Sequence, residues 1–270
     1  MKRSIICILL SWCAMSSYAQ TTTDTSTPNA VEVIYQQIIK VEQLNSGPIV
    51  RWIIAKLKNP KVMAEIRSQA ASGTPHAQDV LGFAYDVGDG VPQDYAQAAS
   101  WYRKAADQGD AQAQTNLGFL YDNGHGVPQD YAQAASWYRK AADQGYADAQ
   151  TNLGFLYEHG QGMPQDYAQA ASWYRRAADQ GDAQAQINLG VLYEHGQGMP
   201  QDYAQATSWY RKAADQGYAD AQTNLGVLYF KGLGVPQDSA EAERLFKLAA
   251  AQGDTRAAHN LRILQTGSAQ

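Results

Sequence analysis

The stretch GVPQDYAQAASWYRKAADQGDAQAQTNLGFLYDNG begins at Gly90, and close copies begin at Gly126, Gly162, Gly198 and Gly234, each 36 residues after the last. A period kept without insertion or deletion means that every copy makes the same local structure and meets its neighbour in the same way. Two helical patterns share the period. In helix A, AQAQTNLGFLYDNG, residues Ala113, Leu117, Leu120 and Tyr121 fall on one face. In helix B, DYAQAASWYRKAADQG, Ala98, Trp101, Tyr102 and Ala105 do so.

The joints carry matching chemistry. Gly124 and Gly126, like Gly160 and Gly162, permit positive φ after helix A, Pro128 and Pro164 stiffen the turn, and Asp130 and Asp166 are placed to cap helix B. Asp130 with Gln133, and Asp238 with Glu241, have capping-box spacing with Asp in the Ser/Thr place. Gly109, Gly145, Gly181, Gly217 and Gly253 close the B helices.

One such helix pair cannot bury its apolar face alone, so neighbouring pairs stack, and Trp101, Trp137, Trp173 and Trp209 are expected to fill the seams. The fold class predicted is all-α, a right-handed α-solenoid of helix-turn-helix repeats over residues 75–254. Its ends should deviate because one side faces solvent. In the last copy Leu245, Phe246 and Leu248 replace Trp, Tyr and Lys, and residues 255–270, with the run TRAAHNLRILQ, read as a C-terminal capping helix and tail. Residues 31–74 read as a helical N-terminal cap. Val31, Ile34, Ile38 and Val41 recur on one side, a second run IVRWIIAKLK follows, and Asn59 with Pro60 opens a third helix ending near Gly73.

Before this lies MKRSIICILLSWCAMSSYAQ, in which Lys2 and Arg3 precede a short apolar run and Ser17-Tyr18-Ala19. That is the pattern of a signal peptide cut after Ala19, residues 1–19, and the run is too short to span ~30 Å of hydrocarbon. Residues 20–30, polar and Thr-rich, read as a disordered linker. The expected location is periplasmic or secreted. Both cysteines, Cys7 and Cys13, fall in the leader, so the mature chain would hold no disulfide and no thiolate nucleophile. Removing the two charges of Lys2 and Arg3 takes the formal net charge from −5 to −7. With basic residues spread along the repeats, nucleic acid and anionic membrane are poor partners.

The combination of Leu117-Gly118, Tyr121, Gly124, Gly126, Asp130, Ala134, Trp137, Ala141 and Gly145, and its equivalents over residues 75–254, resembles the Sel1-like repeat. That family is related to the tetratricopeptide repeat, whose step would be ~34 residues. The resemblance implies adaptor or scaffold work through the solenoid surface, with bacterial members often exported. Some cysteine-rich relatives have been labelled penicillin-binding or β-lactamase-like, which makes an enzyme acting on β-lactams or peptidoglycan an alternative to weigh.

The residues give that alternative little. Serine enzymes of that kind need Ser-x-x-Lys, Ser-Asp-Asn and Lys-Thr-Gly, whereas Ser100/Lys104, Ser136/Lys140 and Ser208/Lys212 are four apart and Ser172 is matched by Arg176. His159 and His195 hold the same repeat position, each after a glutamate, which falls short of a metal ligand set. No catalytic residue, metal or cofactor is expected. A purely structural spacer is a further alternative.

A binding surface is expected instead on the other face of helix A, where Gln112, Asn116, Phe119 and Asn123 lie opposite the apolar side. Across the repeats this gives an amide column of Asn116, Asn152, Asn188 and Asn224. Beside it runs an apolar column of Phe83, Phe119, Phe155, Val191 and Val227. Amides beside apolar side chains suit a protein or peptide ligand. An acidic column, Asp86, Asp122, Glu158 and Glu194, breaks at Phe230. The alternative for the asparagines is that they brace helix A against its neighbour. Near-identical copies argue for function spread over a surface and against one unique catalytic cluster.

Overall fold

In a computed structural model of the chain the described residues are 30–44 and 47–267; the expected leader, most of the linker and the last three residues lie outside them. The described residues form fourteen helices and no strand. Three precede the array: α1 (Ala30–Leu44), α2 (Gly47–Leu57) and α3 (Pro60–Ala71). The A helices are α4 (Pro75–Val87), α6 (Ala111–Asn123), α8 (Ala147–His159), α10 (Ala183–His195) and α12 (Ala219–Lys231). They alternate with the B helices α5 (Tyr95–Asp107), α7 (Tyr131–Asp143), α9 (Tyr167–Asp179), α11 (Tyr203–Asp215) and α13 (Ser239–Ala251), and α14 (Thr255–Gly267) ends the chain. Within each unit neighbouring helices pack on one another, as α3 does on α4, α4 on α5, α8 on α9 and α12 on α13. The chain divides into two compact units, Met1–Leu120 with Gly124–Pro128, and Tyr121–Asn123 with Gln129–Gln270.

The caps fall where the sequence puts them. Asp94, Asp130, Asp166, Asp202 and Asp238 each accept a backbone N–H in the first turn of their B helix. Each cap is worth about 1 kcal/mol. The second arm of the capping box does not form. The N–H of Asp130 donates to the Tyr121 carbonyl and that of Asp238 to the Tyr229 carbonyl, both at 2.9 Å, so the end of the preceding A helix takes the bond that Gln133 or Glu241 would accept. The glycine that begins each copy is held twice over. Gly162 has φ 72°, and a Cβ on it would lie 2.5 Å from the backbone nitrogen of Ala132, one repeat back.

In the first unit Val31, Ile34, Tyr35 and Ile38 of α1 share a core with Ile53 and Leu57 of α2, Met63 and Ile66 of α3, and Val80 and Leu81 of α4. The side chain of Val41 is outside the described set. Asn59 caps α3 as expected, accepting from Lys61 and Val62. Tyr35 stacks on His76 at 3.8 Å, and His76 Nδ1 lies 2.6 Å from Glu32, so α1 is tied to the start of α4.

In the second unit Trp137, Trp173 and Trp209 are buried, and Trp209 packs among α9 and α10, the seam predicted for it. Trp101, in the first unit, is half-buried against the core of α1 to α4. The A and B helices of a pair approach closely at a helical glycine. An added Cβ would lie 2.8 Å from the Tyr174 ring at Gly154 and 2.5 Å from the Tyr210 ring at Gly190.

Two hydrogen-bonded ladders run through these seams. A buried glutamine of each A helix donates to a last-turn carbonyl of the preceding helix, α3 for the first and a B helix for the others: Gln78 to Ala70, Gln114 to Ala106, Gln150 to Ala142, Gln186 to Ala178 and Gln222 to Ala214. The oxygens of Gln78, Gln150, Gln186 and Gln222 accept from the glutamine ending the next B helix, Gln186 from Gln216 at 2.9 Å. One amide thereby ties three helices and stays satisfied while buried. In the second ladder a B-helix tyrosine donates to the A-helix carboxylate sixteen residues back.

Candidate protein-binding face

The stripe that each A helix leaves partly open has spacing i, i+4, i+7, i+11, which keeps four side chains on one side of a helix. In α8 it is Asp148, Asn152, Phe155 and His159. Phe155 is 40% exposed. The His159 ring stacks on it at 4.0 Å, and His159 Nδ1 lies 3.0 Å from the Phe155 carbonyl, so that nitrogen carries the proton. In α10 the same places hold Gln184, Asn188, Val191 and His195, and in α12 Asp220, Asn224, Val227 and Lys231. Val191 and Val227 are half-buried, each packed against a core cluster. His195 Nδ1 meets the Val191 carbonyl at 2.9 Å.

In the first unit Phe83 is half-buried against the N-terminal core, and Phe119 is half-buried with its ring edge-on to His125 at 6.2 Å. Gln112, expected on the open side, is fully buried and donates to Asn116. Just before it, Asp110 is met by His76 of α4 and Tyr35 of α1.

The asparagines are engaged between helices. Asn116 donates to the buried Asp79 at 3.2 Å. Asn188 hydrogen-bonds to Tyr174, and Asn224 to Tyr210. Asn152 is half-buried. The bracing role weighed from sequence is thus present, and it leaves the apolar positions as the open part of the stripe.

The acidic residues are acceptors for buried phenols. Tyr102 donates to Asp86 at 3.3 Å, Tyr138 to Asp122 at 3.4 Å, Tyr174 to Glu158 at 2.6 Å and Tyr210 to Glu194 at 2.7 Å. Burial, with the facing glutamate, raises the Tyr174 and Tyr210 hydroxyls well above the usual phenol range. Burial also pushes the Asp86 carboxyl up to about 6, against the opposing pull of the Tyr102 hydroxyl and His125. Asp122 is raised by burial too. The break at Phe230 has a partner: sixteen residues on, the tyrosine place is taken by Phe246. Donor and acceptor are lost together, so neither is left unpaired. The signal was readable as a sixteen-residue pairing within the repeat.

The serine–lysine pairs do not meet as a dyad. Ser100, Ser136 and Ser208 are exposed, and the Lys104, Lys140 and Lys212 ammonium groups sit 3.6, 3.7 and 3.6 Å over the rings of Trp101, Trp137 and Trp209. Among the described residues no three His, Cys, Asp or Glu are grouped to hold a metal ion, and no helix is long and apolar enough to cross a membrane.

The period, the stacked pairs and the glycine joints agree with a family comparison, in which five consecutive segments, 75–110, 111–146, 147–182, 183–218 and 219–254, match the Sel1 repeat. The chain belongs to the Sel1 repeat family. Its fold is an α-solenoid of the Sel1 kind. It is similar to c5321, described as a protective antigen present in uropathogenic Escherichia coli strains and displaying an SLR fold. The two are 37% identical with a TM-score of 0.75, over 87% of this chain and 52% of that one. It is also similar to a Sel1 repeat protein from Oxalobacter formigenes, 33% identical with a TM-score of 0.73, over 87% of each chain. The chain thus spans about half the length of the E. coli protein. No curated protein matches it. Sel1 repeat proteins commonly serve as scaffolds for protein interaction.

Proposed function

We propose that this Sel1 repeat protein is an exported scaffold that binds protein or peptide partners through the open stripe of its A helices and does no catalysis of its own. The observation that carries the reading is Phe155, a large apolar side chain 40% exposed in the middle of the α8 stripe. Exposed apolar area set among polar side chains is what a partner covers. Asn116 with Phe119 in the first unit, and Asn188 with Val191 and Asn224 with Val227 in the second, extend the stripe to other A helices. The leader read at residues 1–19 supports export, as does the description of the E. coli relative as a protective antigen.

Affinity capture from an envelope extract tests this by comparison. Phe155→Ser with Val191→Ser is expected to lose partners that the wild type retains, with far-UV circular dichroism unchanged. Equal capture by both chains would contradict the assignment of the face. Nitrocefin turnover lost on replacing Ser100, Ser136, Ser172 and Ser208 by Ala would contradict the absence of catalysis.

A further inference from the structure

Each inner seam of the second unit is filled by a tryptophan. Trp209 of α11 is buried against Ala170, Ala171, Ala177 and Ala178 of α9 and Leu189 of α10. Arg175 lies 5.8 Å from its ring centroid and Lys212 3.6 Å. Trp173 is flanked in the same way by Arg139 at 5.8 Å and Arg176 at 4.5 Å. One period after Trp209 the place belongs to Leu245 of α13, which is 2% exposed and shares a core with Ala213, Ala214 and Leu225.

A cavity of about 340 Å³ opens there, lined by Arg211, Asp215, Leu225, Glu241, Arg244 and Leu248. Its walls are the tryptophan's surroundings moved on by one repeat: Arg211 is the equivalent of Arg175, Leu225 of Leu189, and Leu248 of Lys212. The lysine that covers the indole in the inner seams is therefore absent, and Leu248 in its place is 43% exposed.

We propose that this cavity, beside Leu245, binds a tryptophan side chain of a partner polypeptide among surroundings that match those of Trp173 and Trp209 in the preceding seams. The cavity volume falls in the range of small-ligand sites, ~300 to 1,000 Å³. Leu225, Leu245 and Leu248 supply apolar area. Arg211, held by its bond to the Tyr229 hydroxyl at 2.7 Å, supplies the cation that lies over the ring in the inner seams. Asp215 and Glu241 offer the indole N–H an acceptor, which the buried indoles of Trp173 and Trp209 lack. Arg244 forks onto Glu241 through two bonds of 2.7 Å and holds that carboxyl below the usual range, so the rim stays charged. An aliphatic occupant would use the floor but gain nothing from Arg211. The site lies in the α11, α12 and α13 seam and does not depend on the A-helix stripe.

The test titrates N-acetyl-tryptophanamide into the methyl-labelled chain, followed by NMR. Saturable upfield shifts of the Leu225, Leu245 and Leu248 methyl signals are expected, with none from N-acetyl-leucinamide. Leu245→Trp should abolish the response and raise the melting temperature, because the space is then filled from within. Should that variant not fold, Arg211→Ala is expected to weaken binding about threefold. Three results would each overturn the proposal. They are no saturable shift in the wild type, a response that the folded variants leave unchanged, and tighter binding of free tryptophan than of the blocked amide, which would mark a free amino-acid site.

Discussion

A buried phenol without an acceptor costs about 1 to 3 kcal/mol, and Tyr102, Tyr138, Tyr174 and Tyr210 meet that need with Asp86, Asp122, Glu158 and Glu194. Bringing a carboxylate under cover has its own cost, largest in effect at Asp86, whose pKa rises to about 6. Because the native state holds this proton more tightly than the unfolded chain, the contribution to stability is full below the ordinary carboxylate value and is lost as pH rises through about 6. Asp86→Asn, neutral throughout, should match the wild type near pH 4. At pH 7.5 it should exceed the wild type by about 3 kcal/mol in urea unfolding, given a rise from 3.8 to about 6 and ~1.4 kcal/mol per pKa unit. A variant less stable than the wild type at pH 7.5 would show that the charge, and not its burial, dominates there. In sequence these four acids look like an ordinary solvated column. The residues that bury them sit sixteen positions away on another helix, beyond the reach of any single-helix periodicity.

At the scale of the helix, the glycine within each A helix is chosen by its neighbour and against its own propensity, since Gly in a helix interior is less favourable than Ala by about 1 kcal/mol. At Gly82, Gly154, Gly190 and Gly226 an added Cβ would meet the ring of the paired B helix at 2.5 to 2.8 Å. In α14 the same place is Arg262, and it is exposed. Gly190→Ala should therefore destabilise by about 1 to 3 kcal/mol, the cost of overpacking, despite its better helix propensity. Arg262→Ala should be near neutral. Equal thermal shifts for the two would remove the packing explanation. Helix type, caps and joints were legible because Asp, Gly and Pro act on their own backbone. The glutamine ladder was not, because Gln78, Gln114, Gln150, Gln186 and Gln222 look like solvent-facing polar residues until the preceding helix brings its carbonyls to them. At α14 the same place is Ala258.

Over the whole chain, repetition yields seams and surface, and departures from repetition mark the places with individual character. The seams were legible in outline, since the 36-residue period and its tryptophans imply stacking. Of the asparagine column the spacing was legible but not the bonding, because Asn116, Asn188 and Asn224 reach back to neighbouring helices. The stripe therefore rests on fewer open side chains than its columns suggest. Leu245 shows the reverse case: where the tryptophan pattern is broken, a cavity lies beside the substituted side chain. If each repeat is a self-contained step, the chain tolerates losing one. Deleting residues 163–198 joins Gly162 to Met199, the neighbour that follows Gly198 in the intact chain. A thermal melt of this shortened chain by circular dichroism is predicted to show the same helicity per residue and one cooperative transition at a lower temperature. An unfolded or aggregated product, with the helical signal lost, would contradict the account.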